Sequence, residues 1–188
     1  MEDQGLYLSE FERDNCGAGF ICNLNGEKSN QIIHDALEIL IKLEHRGAGI
    51  LIDIPHEFFS RVCDFNLPEA RQYAVGQVFL PKKFNQSSFC QDVFETELKK
   101  QGLKVLGWRD VPVDTSNLGT IAAKTQPKTK QLFVGKGEEE LTDLQFNAKL
   151  FAARKITEHT IEKSKISESK YFYLPSFSTT TIIYKGLL

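Results

Sequence analysis

Apolar residues alternate from position 16 to 24, with Cys16, Ala18, Phe20, Cys22 and Leu24 on one face and Ile21 on the other, a pattern that predicts a buried strand. Asn25-Gly26 marks a turn, and Ser29 is a suitable N-cap for a helix reaching about residue 44. Its apolar positions Ile32, Ile33, Ala36, Leu37, Leu40 and Ile41 recur at helical spacing and form one core face. Gly47 and Gly49 stop that helix. A short strand over 49–54 follows, then a short helix over 55–65 carrying Phe58, Phe59 and Val62.

Further along, 73–80 reads as a strand ended by Pro81, and 87–101 as a helix with Phe89, Val93 and Leu98 inward and Gly102 as C-cap. Residues 104–113 read as a strand containing Trp108, and 114–117 as a polar turn. The stretch 120–134 reads as a strand pair interrupted at Pro127, and 135–143 as an acidic loop. The longest helix spans 146–163, with Phe146, Leu150 and Ala153 at i, i+4 and i+7. Strands over 171–174 and 179–187 complete the pattern. Helices and strands alternate with no internal repeat, Gly-rich phosphate loop or interdomain linker, which predicts one α/β or α+β domain. The last strand runs to Leu188 with no capping element after it, the look of a chain cut short.

Composition narrows the classes. The chain has 188 residues, 41% of them hydrophobic and 26% charged, within the range of globular proteins. A net charge of −2 argues against a general nucleic-acid binder. No apolar run approaches the roughly 20 residues needed to span a bilayer. Residues 1–15 are acidic, lack an apolar core and are not Arg/Ser-rich, so they read as neither a secretory signal nor a transit peptide. The cytoplasm is the default compartment. Cys16, Cys22, Cys63 and Cys90 show no CxxC spacing, and His34, His45, His56 and His159 show no HxxxH or HExxH arrangement, so no metal site is expected.

Taken singly, the candidate residues are ambiguous. Cys16 precedes Gly17, Ala18 and Gly19, small residues that permit a ligand to approach the backbone and leave the thiol open. The same residues also suit a core cysteine beside packing glycines. Cys22, on the same strand face, reads as core. His45 and Arg46 at the end of a helix interact favourably with its last carbonyls and dipole, an adequate structural role. The alternative is that this loop borders a pocket shared with Cys16. A Cys16–His45 dyad would lack an orienting third residue. Glu138, Glu139 and Glu140 read as a solvated loop, and Trp108 as a packing residue.

The combination is more specific than its parts. ERDNCGAGF at 12–20, LEHRGA at 43–48, GILIDIPHEFF at 49–59, GWRDVPVD at 107–114 and the terminal STTTIIYKGLL follow one order, with FNAKLFAARK at 146–155 between the last two. In that order they resemble the N-terminal class II glutamine amidotransferase domain of glutamate synthase large subunits. The resemblance implies an α+β fold of N-terminal-nucleophile hydrolase type, a four-layer α-β-β-α sandwich incomplete at its C-terminus. It also implies that residues 1–15 are a removable leader and 16–188 the front part of the domain. Cys16 is then the mature N-terminus. A thiol of pKa about 8.5 is mostly protonated at neutral pH. A free α-amine titrating at about 8 is an adequate base for it, so one residue would supply nucleophile and base.

The resemblance further implies that Gly17, His45, Arg46 and Gly47 shape a pocket for L-glutamine. It implies that ammonia passes to a synthase part that uses 2-oxoglutarate, FMN, an iron–sulfur cluster and an electron-donating subunit or ferredoxin. This chain is expected to hold none of these cofactors.

Three departures from the family pattern stand out. A TGDGAG-like loop usual before the GILIDIP strand is missing, since Ala48 runs straight into Gly49. Thr180 replaces the arginine of an SSRT-like motif, removing a cation. The chain also stops before the arginine-containing substrate segment and the Asn-Gly oxyanion pair. Loss of a single oxyanion donor typically costs about a hundredfold in rate, so the isolated polypeptide is expected to be nearly inactive. Three readings follow: the front of an amidotransferase, a non-catalytic remnant that only binds or packs, and a Cys16–His45 hydrolase.

Overall fold

In a computed structural model of the chain, residues 18–42, 48–116 and 118–186 are described. They fall into two units, Met1–Ile50 with Lys185–Leu188, and Leu51–Tyr184.

In the first unit the predicted turn and cap are present. Gly26 takes φ +71°, a conformation glycine adopts without a Cβ penalty, and its N–H donates to the Asn23 carbonyl at 3.0 Å. The Ser29 hydroxyl accepts from the Gln31 N–H at 3.1 Å and opens α1, Asn30–Lys42. The predicted core face of α1 is only partly covered. Ile32, Ile33, Ala36 and Leu40 are half-buried, while Leu37 and Ile41 are exposed. The strand expected over 16–24 does not form across its described part, 18–24. Phe20 and Leu24 are 91% and 96% exposed, and Cys22, expected in the core, is exposed as well. Alternation yields a strand only where a neighbour satisfies its backbone, and no described strand pairs with this segment.

The second unit is built on an antiparallel sheet of order β3-β4-β2-β5, with β2 at Tyr73–Leu80, β3 at Lys104–Asp110, β4 at Lys128–Gly135 and β5 at Tyr173–Ser178. Helices α3, Phe84–Lys100, and α5, Asp143–Glu162, cover one face. Thr142 and Gln145 form a capping box at the start of α5, three residues before the predicted start. Phe146, Leu150, Ala153, Thr157 and Ile161 make its buried stripe, as the spacing predicts. On α3 the stripe runs through Ser87, Cys90, Phe94 and Leu98. Phe89, expected inward, lies just off that stripe and is exposed. Leu132 and Val134 of β4 meet Phe94, Phe146 and Leu150 in this core.

Two further expectations are corrected or confirmed here. Residues 120–134 are not a strand pair but helix α4, Thr120–Thr125, followed by β4. Two consecutive alanines favour the helix, and Pro127 marks its end. Trp108 packs against the helix-side core and donates from Nε1 to Glu95 at 2.8 Å, so its role is packing.

The opposite sheet face carries a second apolar layer. Strands β1, Ala48–Asp53, and β6, Thr181–Gly186, pair as a two-stranded sheet, and α2 spans His56–Val62. Ile52, Ile54, Phe59, Phe65, Ile182 and Tyr184 pack against Tyr73, Val75, Phe133 and Leu106. Residues 51–184 therefore stack as helices, sheet, sheet. A bulge in β3 between Val105 and Gly107 brings Gly107 opposite Phe133. The Phe65 ring occupies the space above this glycine and meets Phe133 edge-on at 5.3 Å.

A Cβ at Gly107 would lie 2.3 Å from the Phe65 ring, so Gly107→Ala must displace it. Urea unfolding should show a loss of about 1–3 kcal/mol. A smaller loss is expected in a Phe65→Leu background, where the ring is gone.

Glu158 accepts from Arg154 and Lys155, both at 2.7 Å, while Arg154 also donates to the Leu174 carbonyl of β5. Burial alone would raise this carboxyl, but the bonds from Lys155 and Arg154 outweigh it and hold its pKa below the usual value. A depressed folded pKa stabilises above the unfolded one, about 4.3, and that stability is lost as pH falls through the folded value. Glu158→Gln should therefore cost about 1 kcal/mol at pH 7. Denaturation at several pH values should show the gap closing below pH about 4.

Candidate functional site

The residues singled out from sequence, Cys16, Gly17, His45, Arg46 and Gly47, all lie outside the described residues. The structure describes the backbone at two of the positions where departures are expected. Residues 48–53 form one strand where the extra loop would enter. Thr180 sits where the chain leaves β5 in the four-stranded sheet and enters β6 in the two-stranded one. The Ser178 hydroxyl accepts from the N–H groups of Thr180 and Thr181 at 3.1 and 3.4 Å. The Thr180 carbonyl in turn accepts from Ile54 N–H at 2.9 Å, and Ser176 Oγ accepts from Ile183 N–H. The Ser/Thr-rich run thus supplies the hydrogen bonds that turn the chain from one sheet to the other.

Sequence reading missed a polar row inside the apolar sandwich. Arg109 pairs with Gln131 across β3 and β4, Gln131 with Gln77 across β2, and Gln77 with Ser176 across β5. One cross-strand row of polar residues therefore traverses the whole sheet. Arg109 Nη1 donates to Gln131 Oε1 at 2.9 Å, and Gln131 Nε2 donates to Gln77 Oε1 at 3.2 Å and to the Tyr184 hydroxyl at 3.0 Å. Gln77 and Gln131 are almost fully buried. The signal available was a lone glutamine inside each of two apolar strands, YAVGQVFL and KQLFVG.

The surroundings of this row are electrostatically dry. Burial raises the Tyr184 pKa, against the opposing effects of Gln131 and Arg109. Burial also pushes the Cys63 thiol up, with Arg109 drawing it down and Asp64 adding to the rise. Tyr73 is pushed up to about 12 by burial and shares a 3.1 Å hydrogen bond with His56 Nδ1. Cys90, wholly buried on the helix side, is likewise pushed up to about 12. These thiols and phenols are protonated at neutral pH and poor nucleophiles. Among the described residues no group of three His, Cys, Asp or Glu is placed to hold a metal ion.

Comparison with known proteins supplies what the described geometry does not. The profile of the class II glutamine amidotransferases matches residues 16–188. The chain belongs to the class II glutamine amidotransferase family. It is 38% identical to the glutamate synthase (NADPH) large chain of Bacillus subtilis (strain 168), over 98% of this chain and 13% of that protein. It is 39% identical to the glutamate synthase (NADH) of Saccharomyces cerevisiae, over 100% of this chain and 10% of that protein. With the chloroplastic ferredoxin-dependent glutamate synthase 2 of Arabidopsis thaliana it shares 33%, over 100% and 12%. This amidotransferase chain thus spans only about an eighth of the length of such relatives.

For the amidotransferase fold, Gln131 is the hub of the polar row. Gln131→Leu keeps the size but leaves Arg109, Gln77 and the Tyr184 hydroxyl without their shared partner. Equilibrium unfolding should show a loss of about 3 kcal/mol, against about 1 kcal/mol for Tyr184→Phe, which leaves the Arg109 and Gln77 bonds intact.

Proposed function

We propose that this chain is the front of the glutaminase part of a glutamate synthase, with residues 1–15 a removable leader and Cys16 the nucleophile. The observation that carries this reading is that the family match opens at Cys16 itself. Once the leader is removed, the free α-amine of Cys16 takes the thiol proton, and the thiolate attacks the carboxamide carbon of L-glutamine. The protonated amine returns its proton to the departing nitrogen, the C–N bond breaks and ammonia leaves. Water then cleaves the γ-glutamyl thioester, giving glutamate and regenerating the thiol. While residues 1–15 are attached, the Cys16 nitrogen is an amide and has no basicity to offer. Gly17, His45, Arg46 and Gly47 shape the glutamine pocket in this reading.

The fold reading is a four-layer α-β-β-α sandwich of N-terminal-nucleophile hydrolase type, supported by the helices-sheet-sheet order of residues 51–184. The ammonia is consumed on 2-oxoglutarate by the remainder of the large subunit in the cytoplasm, with electrons from an electron-donating subunit or ferredoxin. The iron–sulfur cluster used there does not fit the cysteines of this chain, and FMN belongs to that remainder in this reading. Cys16, Cys22, Cys63 and Cys90 lack the close spacing that such a cluster takes.

The test is a glutamine-mimicking alkylator applied to the whole protein that carries this chain, read by peptide mass. The expected adduct is on Cys16, absent in Cys16→Ala. Retaining the leader should cut glutaminase rate by about a hundredfold or more, the usual contribution of a general base. No adduct on a chain still beginning at Met1 would favour the non-catalytic remnant. Loss of alkylation in His45→Gln would instead favour a Cys16–His45 pair.

A further inference from the structure

The polar row has a direction. Arg109 donates to Gln131, and Gln131 donates onward to Gln77 and Tyr184, so the hydrogen bonds all run away from Arg109 into the sandwich. Arg109 is at the outer end of the row because β3 is an edge strand. Its guanidinium lies over the Phe58 ring, with Cζ 5.4 Å from the centroid. That contact steadies the cation without using its N–H groups.

Only one of those N–H groups has a protein acceptor among the described residues, Gln131 Oε1. No described carboxylate lies within ion-pair distance of Arg109. Other half-buried cations in the same unit behave differently. Arg154 takes Glu158 and the Leu174 carbonyl, Lys149 takes Glu139 and the Gln101 carbonyl, and Lys130 takes Asp110. A half-buried, permanently charged fork held rigid on two sides, with its remaining donors uncommitted, is the arrangement that receives an oxyanion in bidentate fashion.

We propose that Arg109 is the anchor of a second ligand site, separate from the glutaminase chemistry, which takes a small free anion through its carboxylate or phosphate group. The guanidinium grips two oxygens of that group, and Gln131 holds the guanidinium in place from behind. Cys63, near enough to Arg109 for the cation to draw its thiol down, borders a pocket of about 340 Å³ lined also by Ser60, Asp64, Phe65, Asn66 and Leu67. The negative charge of Asp64 selects against multiply charged ligands and favours one carrying a cationic or neutral group beside its oxyanion.

The experiment is thermal unfolding of the full chain in sodium phosphate or sodium glutamate, with sodium chloride holding ionic strength constant. A saturable rise of about 3–6 °C is expected at ten times the half-saturating concentration of the preferred anion. If glutamate alone saturates, the ligand carries a carboxylate, and if phosphate alone does, a phosphate. Arg109→Gln should abolish the rise. Arg109→Lys keeps the charge but not the fork, so it should fold equally and shift half-saturation upward by tenfold or more. A second readout is the alkylation rate of Cys63 by a neutral reagent, followed by peptide mass. The occupied site should slow it severalfold in the parent chain and leave it unchanged in Arg109→Gln. No saturation with either anion, or an equal rise in Arg109→Gln, would overturn the proposal.

Discussion

The second unit depends on one constraint, a polar row that must be satisfied inside an apolar sandwich. Gln131 occupies the middle of β4, the strand flanked by both β3 and β2. Its side chain is buried, so its amide must find partners within the protein. It finds Arg109, Gln77 and Tyr184, one on each neighbouring strand and one on the facing sheet. A slip of any of these strands by one residue would turn the polar side chain to the helix side and leave the rest unmatched. The apolar residues on either side of the row make burial favourable, but they would tolerate several registers. The polar row selects one.

That selection propagates to the chain's crossing between sheets. With Ser176 fixed opposite Gln77, Ser178 falls opposite Val75, and its hydroxyl gathers the N–H groups of Thr180 and Thr181. β6 then leaves in the direction that carries Ile182 and Tyr184 onto Phe133 and Gln131. The short side chain at Thr180 joins the turn through a 3.2 Å contact with the Ser178 hydroxyl. An arginine, usual in this motif by resemblance, would bring a long cation to the same corner.

Most of the element pattern was legible from periodicity. β2 and the buried stripe of α5 follow it, because both pack on neighbours that lie within the described chain. Where periodicity failed, the reason lies in what surrounds the segment. Residues 18–24 alternate well but meet no described strand. In 120–125 the local preference of Ala122 and Ala123 for helix prevails over a pattern that could be read either way. Phe89 and Cys90 are adjacent, and only the direction from which the sheet approaches α3 decides that the smaller thiol goes inward. The polar row was invisible for a related reason. Each glutamine looks like a defect in its own strand, and only the pairing register places them side by side. For the chemistry the balance is reversed. Cys16 and the His45-Arg46-Gly47 motif stand out through the order of motifs, while the described geometry concerns the scaffold.

The claim on which the functional account rests is that removal of residues 1–15 creates the catalytic group. It is tested most directly by the N-terminal residue and intact mass of the active protein isolated from the cells that make it. The account predicts a chain that begins at Cys16 with a free amine and carries glutaminase activity. An active glutaminase whose chain still begins at Met1 would contradict it.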